Sequence, residues 1–258
     1  MEGLRRRLDE LKVTGPPVFH LPASPPPLGA SRLSEIVGGR EQPCRNLAYW
    51  QVETRFDDAC RRHNLTLPQR LRDSEAQLLP TPVAGLDPAR SVVVDIETGG
   101  FSGTEIFLIG MVPLDLRPLR VVQLLARDYP EEEAILRGLA ELAPHRDTWV
   151  TFNGKAFDEP FLRDRAARYR VDLPSPKVHV DLLLWARRYW RGRLPNYKLQ
   201  TLEQHVLGWQ RLGDVPGADI PDLFHHFIRT GNAAPIRPVL EHNQLDLISC
   251  TELLHRLA

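Results

Sequence analysis

Two carboxylates stand two residues apart in Ser91-Val-Val-Val-Asp-Ile-Glu-Thr98. Val92, Val93, Val94 and Ile96 are β-branched, and an apolar run of this length suits a buried strand. Side chains alternate across a strand, so Asp95 and Glu97 share one face. Neighbouring carboxylates repel, and burying either one unpaired is costly. A hard divalent cation such as Mg²⁺ removes both costs, because it takes carboxylate oxygens. The plainer reading is a strand that runs out into a polar turn at Thr98-Gly-Gly100, and for an isolated Asp-x-Glu the two readings weigh about equally.

Two further acidic positions break the tie. Asn153-Gly-Lys-Ala-Phe-Asp158 follows a second apolar run, Thr148 to Phe152. Its Asn-Gly turn carries the chain out of the sheet, and Asp158 then begins a helix. Asp at a helix start is a common capping residue. Ligands, however, gather at the carboxyl ends of strands in open α/β sheets. If the two strands are parallel neighbours, Asp95, Glu97 and Asp158 converge. The third position lies in a helix over about 235–257, where His242 and Asp246 are four apart and share a face, with Asn243 beside them. Such a pair is more often a surface contact. The rarer arrangement offers an imidazole and a carboxylate to a metal cluster.

The elements that must position these groups follow from the pattern. Strands are expected at 91–97, 105–112, 119–127, 148–152 and 178–181, with helices near 130–143 and 157–170 and a helical C-terminal part broken at Pro195, Pro216-Gly217 and Gly231. Three meandering strands followed by strand–helix alternation make an α/β fold: a mixed five-stranded sheet with helices on both faces. Residues 87–258 form this domain. Residues 1–86 read as a small accessory region: a basic amphipathic helix at 3–12, a proline-rich linker at 15–30, and a hairpin between Glu35 and Phe56 with Gly38-Gly39 at its turn.

Composition narrows the class. Hydrophobic residues make up 42% and charged residues 26%, ordinary values for a globular protein. No apolar run approaches a membrane span, and the basic start has no apolar stretch behind it to make a secretory signal. Three widely spaced cysteines resemble neither a disulfide framework nor a zinc knuckle and fit a reducing cytoplasm. Formal net charge is zero, so nucleic-acid binding needs a local basic surface.

The three acidic sites, in this order, resemble the DEDD (DnaQ-like) exonucleases of the ribonuclease H-like superfamily. Within that group the chain is most similar to the bacterial YprB-type proteins. Supporting stretches are Val150-Thr-Phe-Asn-Gly-Lys-Ala-Phe-Asp158, His179-Val-Asp-Leu-Leu-Leu-Trp-Ala-Arg187, Leu199-Gln-Thr-Leu-Glu-Gln-His-Val-Leu-Gly208 and Glu241-His-Asn-Gln-Leu-Asp246. The resemblance implies a nuclease, expected to be a 3′→5′ exonuclease on DNA or RNA, in which Asp95, Glu97, Asp158 and Asp246 hold two Mg²⁺ or Mn²⁺ ions. It leaves DNA repair and RNA processing both open. The superfamily's third motif carries either a Tyr four residues before the last Asp or a His five before it. Here His242 stands in the Tyr position and Glu241 in the other. His242 is the expected water-activating residue, because a neutral imidazole accepts a proton near pH 7. Alternatives with the same acids are an endonuclease, or a catalytically silent module that binds nucleic acid or protein.

Substrate contacts are expected from Thr98, Asn153, Lys155, Phe157 and Asn243. Residues 163–198 hold ten Lys/Arg against three Asp, a local net charge of +7 (ten minus three). Within them Arg187, Arg188, Arg191, Arg193 and Lys198 are expected as a phosphate track, and Trp185 and Tyr189 as core residues at helical spacing. Asp181 is expected to cap a helix. The proline-rich N-terminal part would suit a protein partner.

Overall fold

The computed structural model describes residues 30–66, 86–100, 103–142 and 145–257. The expected helix at 3–12 and nearly all of the proline-rich stretch lie outside the described residues. Helix α1 (Ala30–Val37) leads into β1 (Arg40–Cys44), β2 (Leu47–Arg55) and α2 (Phe56–Arg62). Then come β3 (Ser91–Thr98), β4 (Ile106–Pro113), β5 (Arg120–Leu125), α3 (Glu132–Leu142), β6 (Thr148–Thr151), α4 (Asp158–Arg168), β7 (Val178–Asp181) and α5 (Leu182–Tyr189). The chain continues through α6 (Leu199–Leu202), a π-helical turn at Glu203–Leu207, α7 (Ile220–Thr230) and the 21-residue α8 (Ile236–Arg256).

All strands join one sheet in the order β1-β2-β5-β4-β3-β6-β7. The five strands expected from the sequence are present as β5-β4-β3-β6-β7, with β3–β6 and β6–β7 parallel. Among the described residues the sheet nevertheless has seven strands rather than five, because β2 pairs antiparallel with β5 and brings β1 with it. The hairpin also turns at Arg45-Asn46 rather than at Gly38-Gly39. Arg45 takes a left-handed φ of 56°, and the register closes with Cys44 opposite Leu47. A tight two-residue turn of this hand matches the twist of the strands it joins. Gly38, with φ 71°, instead ends α1, its N–H donating to the Ser34 carbonyl at 2.9 Å.

Alternation along β3 sorts the molecule into two faces. Val92, Val94 and Ile96 pack with Ile135 and Leu139 of α3 and Phe161 and Leu162 of α4. Val93 packs instead with Leu182 of α5 and Leu247, Ile248 and Leu253 of α8. Burying each such side chain contributes about 1.5–3 kcal/mol. By the same parity Asp95 and Glu97 look toward α8. The parallel pairing of β3 with β6 stops at Val93–Val150, and β6 ends at Thr151. The carboxyl half of β3 therefore runs on beside the place where the chain turns away toward α4.

A buried ion pair anchors α4 to the start of β4. Glu132, 1% exposed, is paired with Arg165 and accepts from the Tyr169 hydroxyl at 2.9 Å and the Ile106 N–H at 2.8 Å. Arg165 also donates to the Gly103 carbonyl at 3.1 Å. With every lone pair occupied, this charge pair fixes where the N-terminus of α4, and so Asp158, stands.

Candidate active site

Asp95 and Glu97 rise from β3, Asp158 opens α4 after β6, and His242 and Asp246 come from one face of α8. The acids lie close enough for their charges to act on one another. Burial pushes the Asp95 carboxyl well above its ordinary range, and the charges of Asp246, Glu97 and Asp158 push it further. Burial likewise raises Glu97 to about 8, opposed by His242 and helped by Asp246 and Asp158. Asp158 is raised by burial to about 7, although backbone hydrogen bonding from its own N–H and from Ile96 opposes the rise. Asp158 is 5% exposed and is the first residue of α4, with Phe157 in the N-cap position.

Asn243 is fully buried and does not open toward a substrate as expected. Its Nδ2 donates to Asp95 Oδ2 at 2.8 Å, while its Oδ1 accepts from Gln123 Nε2 at 2.8 Å. The amide thus orients Asp95 from behind. Gly110, opposite Asp95 in the β3–β4 register, makes room for it: a Cβ there would lie 2.1 Å from Asn243 Oδ1. Thr98, also expected at the substrate, is buried with its hydroxyl donating to the Gly100 carbonyl at 2.9 Å. Asp181 caps α5 as expected, accepting from the Leu183 N–H at 3.0 Å. It also holds the Asn153-Gly154 turn through the Asn153 N–H at 2.9 Å and the Lys155 N–H at 3.2 Å. Asn153 itself takes a left-handed φ of 64°.

Of the two candidates for water activation, only one faces the acids. Glu241 turns outward to Arg237, 3.1 Å away. His242 presents Nε2 to Asp246 Oδ2 at 3.7 Å and Nδ1 to Asp214 Oδ1 at 2.8 Å. Burial alone would lower its pKa, but the Asp214 hydrogen bond and the charges of Asp246, Glu97 and Asp214 leave it raised.

Four residues of this neighbourhood escaped the sequence reading: Arg211, Glu203, Asp214 and Ser249. Arg211 is buried and pairs with Glu203, Asp246 and, at 3.0 Å, Asp214. Ser249 of α8 donates to Glu203 at 2.6 Å. Arg211 and Asp214 are three apart in a loop, a spacing shared with any surface ion pair, and no local signal ties them to α8.

The basic surface divides in two. Arg163, Arg165 and Lys177 pair with Glu159, Glu132 and Asp147. Arg187, Arg188, Arg191, Arg193 and Lys198 are exposed and form no ion pair among the described residues. Trp185 is only partly buried, packed against the core, and Tyr189, at the end of α5, is 46% exposed rather than in the core. Exposed Lys155 and Phe157, the latter 42% exposed, stand beside Asp158.

The donor set suits a hard divalent cation. Buried Asp158 and half-buried Asp95 and Glu97 have raised pKa values, and no Lys or Arg pairs with them among the described residues. The same residues include no group of three His, Cys, Asp or Glu already drawn in to metal-binding spacing.

Parallel strands β3 and β6, with acids near the end of β3 and at the start of the helix that follows β6, and a C-terminal helix that brings a third group, define a ribonuclease H-like α/β protein. The comparisons agree. Residues 92–258 match the model of the RNase_H_2 family, of the RNase_H superfamily, and the chain belongs to that family. It is 37% identical over 165 residues to "Uncharacterized protein YprB" of Bacillus subtilis (strain 168), covering 62% of this chain and 40% of that protein's length. Among solved structures it is similar to the family B DNA polymerase from the hyperthermophilic archaeon Pyrobaculum calidifontis. The match has a TM-score of 0.51 and 15% identity over 90% of this chain and 39% of that one, a likeness of fold alone. Among the described residues no helix is long and apolar enough to cross a membrane.

Proposed function

We propose that the chain is a divalent-cation-dependent nuclease of the DEDD type: a 3′→5′ exonuclease on DNA or RNA, with single-stranded DNA the favoured substrate. The observation that supports this best is that the charges of Asp95, Glu97, Asp158 and Asp246 act on one another, with His242 Nε2 3.7 Å from Asp246 Oδ2. The direction of attack rests on the family resemblance.

In this reading Asp95, Glu97, Asp158 and Asp246 would hold two Mg²⁺ or Mn²⁺ ions, which would acidify water and stabilise negative charge on the scissile phosphate. His242 Nε2 orients the attacking water and takes its proton. Asn243 keeps Asp95 in place. Exposed Phe157 offers a face for the terminal base, and exposed Asn153 and Lys155 would contact its phosphate. Arg187, Arg188, Arg191 and Lys198 track the backbone further upstream. Thr98 acts from behind, by holding the β3 turn.

A second reading has one observation in its favour. Asp246 is engaged by Arg211, as it would be in a module that binds nucleic acid or protein without cleaving it. One digestion series separates the two. Single-stranded DNA, duplex DNA and RNA, labelled at the 5′ end, are incubated with Mg²⁺, Mn²⁺ or EDTA beside the Asp95→Ala protein. A metal-dependent ladder shortening from the 3′ end, absent in the variant, is the expected result. Intact oligonucleotides in every lane would favour the silent module.

A further inference from the structure

We propose that Asp214, pinned by Arg211, is a positioning residue that fixes which ring nitrogen of His242 faces the acidic cluster. Its consequence for catalysis rests on the nuclease reading; the positioning itself does not.

Asp214 lies in the loop between the π-helical turn and α7, and its side chain is 7% exposed. Its two oxygens have separate partners. Oδ2 accepts from Arg211 Nη1 at 3.0 Å, and Oδ1 faces His242 Nδ1 at 2.8 Å. An ionised carboxylate can only accept hydrogen bonds. Burial would raise the Asp214 pKa, but the His242 and Arg211 hydrogen bonds and charges outweigh it and keep the carboxyl below its ordinary value. Nδ1 therefore carries the hydrogen, and in the neutral ring the lone pair sits on Nε2, on the side of Asp246. A base that must take a proton from water at the acids needs this tautomer and no other.

Arg211 makes the arrangement rigid. Its Nε donates to Glu203 at 2.9 Å, and its Nη2 reaches both Glu203 and Asp246. Glu203 is 1% exposed and tied to α8 by Ser249. The loop that brings Asp214 to His242 is thus fastened to the helix that carries His242, at residues 246 and 249 of the same face. Removing the charge of Asp214 while keeping its shape has a definite outcome. In Asp214→Asn the Arg211 cation demands the amide oxygen, so the NH₂ turns to His242. Nδ1 must then accept, and the hydrogen moves to Nε2, where it blocks proton uptake.

The test uses full-length protein labelled with ¹⁵N-histidine, at a pH where the imidazole is neutral, with the His242 signals assigned by their loss in His242→Gln. The wild type is expected to show Nδ1–H, and Asp214→Asn to show Nε2–H. With Mg²⁺ and single-stranded DNA, kcat is expected to fall by about 10²-fold or more while KM stays nearly unchanged. If the amide variant does not fold, Asp214→Ala serves in its place and is expected to give a mixture of tautomers with a kcat loss smaller than about 10²-fold, in proportion to the Nδ1–H fraction lost. An unchanged tautomer in the folded variant, or a flipped tautomer with wild-type kcat, would overturn the proposal. A flipped tautomer in a protein whose wild type cuts no oligonucleotide would uphold the positioning and sink the nuclease reading.

Discussion

Two trios of carboxylates lie side by side in this molecule and have opposite fates. Glu203, Asp214 and Asp246 are gathered around the Arg211 guanidinium, which supplies a donor to each. Asp95, Glu97 and Asp158 have no such cation, and burial and mutual repulsion lift them above the usual carboxylate range. The first trio spends its negative charge on holding a loop to α8. The second leaves its charge unspent, which is what a site for an exchangeable cation needs. Asp246 belongs to the first trio, and its charge also bears on every member of the second.

The largest expected effect comes from breaking the uncompensated trio. Asp95→Ala or Asp158→Ala is expected to lower metal-dependent hydrolysis by about 10³-fold or more, because such groups act as a unit. Circular dichroism should show the fold intact, since each substitution also relieves repulsion. Near-wild-type turnover in either variant would refute the site.

Breaking the compensated trio should do the reverse and strike the fold. Arg211→Met leaves Glu203, Asp214 and Asp246 without their cation, and removing one partner of a buried pair costs about 3–5 kcal/mol. Urea denaturation measures the loss. A change within error would mean that the guanidinium holds nothing together.

Acidity sharpens the contrast. Glu97 and Asp158 are raised to about 8 and about 7 in the folded protein, from ordinary values of 4.5 and 3.8. A carboxyl raised on folding binds its proton more tightly in the native state. Its favourable contribution is therefore complete below its unfolded pKa and lost as pH rises through the folded one. The Tm of cation-free protein is expected to fall between pH 5 and pH 8.5 by calorimetry, and added Mg²⁺ to flatten that slope. A Tm that climbs over this interval would mean the three acids are not crowded.

The smallest effect belongs to the exposed bases. Replacing Arg187 and Arg188 with Ser should weaken single-stranded DNA binding evenly across sequences and reduce the salt slope by about 0.7 for each lost phosphate contact. Fluorescence anisotropy over a salt series reads this directly, and an unchanged slope would remove the two residues from the track.

Much of this was legible in the sequence, and for a common reason. The β-branched run before Asp95, the Asn-Gly turn before Asp158 and the i, i+4 spacing of His242 and Asp246 are local patterns, and local sterics turn them into a strand end, a helix start and a helix face. They sufficed for the central five strands, for α8 and for the order of the acids. Where several partners compete, local pattern runs short. Gly38-Gly39 looked like the hairpin turn, but α1 used it as a stop and Arg45 took the left-handed turn position. The hairpin looked separable until β2 found the free edge of β5.

The sequence by itself determined which acids stand at the ends of which elements, because periodicity and turn chemistry act between near neighbours. Only the tertiary structure decided which of those acids are neutralised. Arg211 reaches Asp246 across 35 positions of sequence, and Asn243 reaches Asp95 across 148. Contacts at such separations depend on how α8 and the loop before α7 pack on the sheet, and packing is settled by the whole core at once.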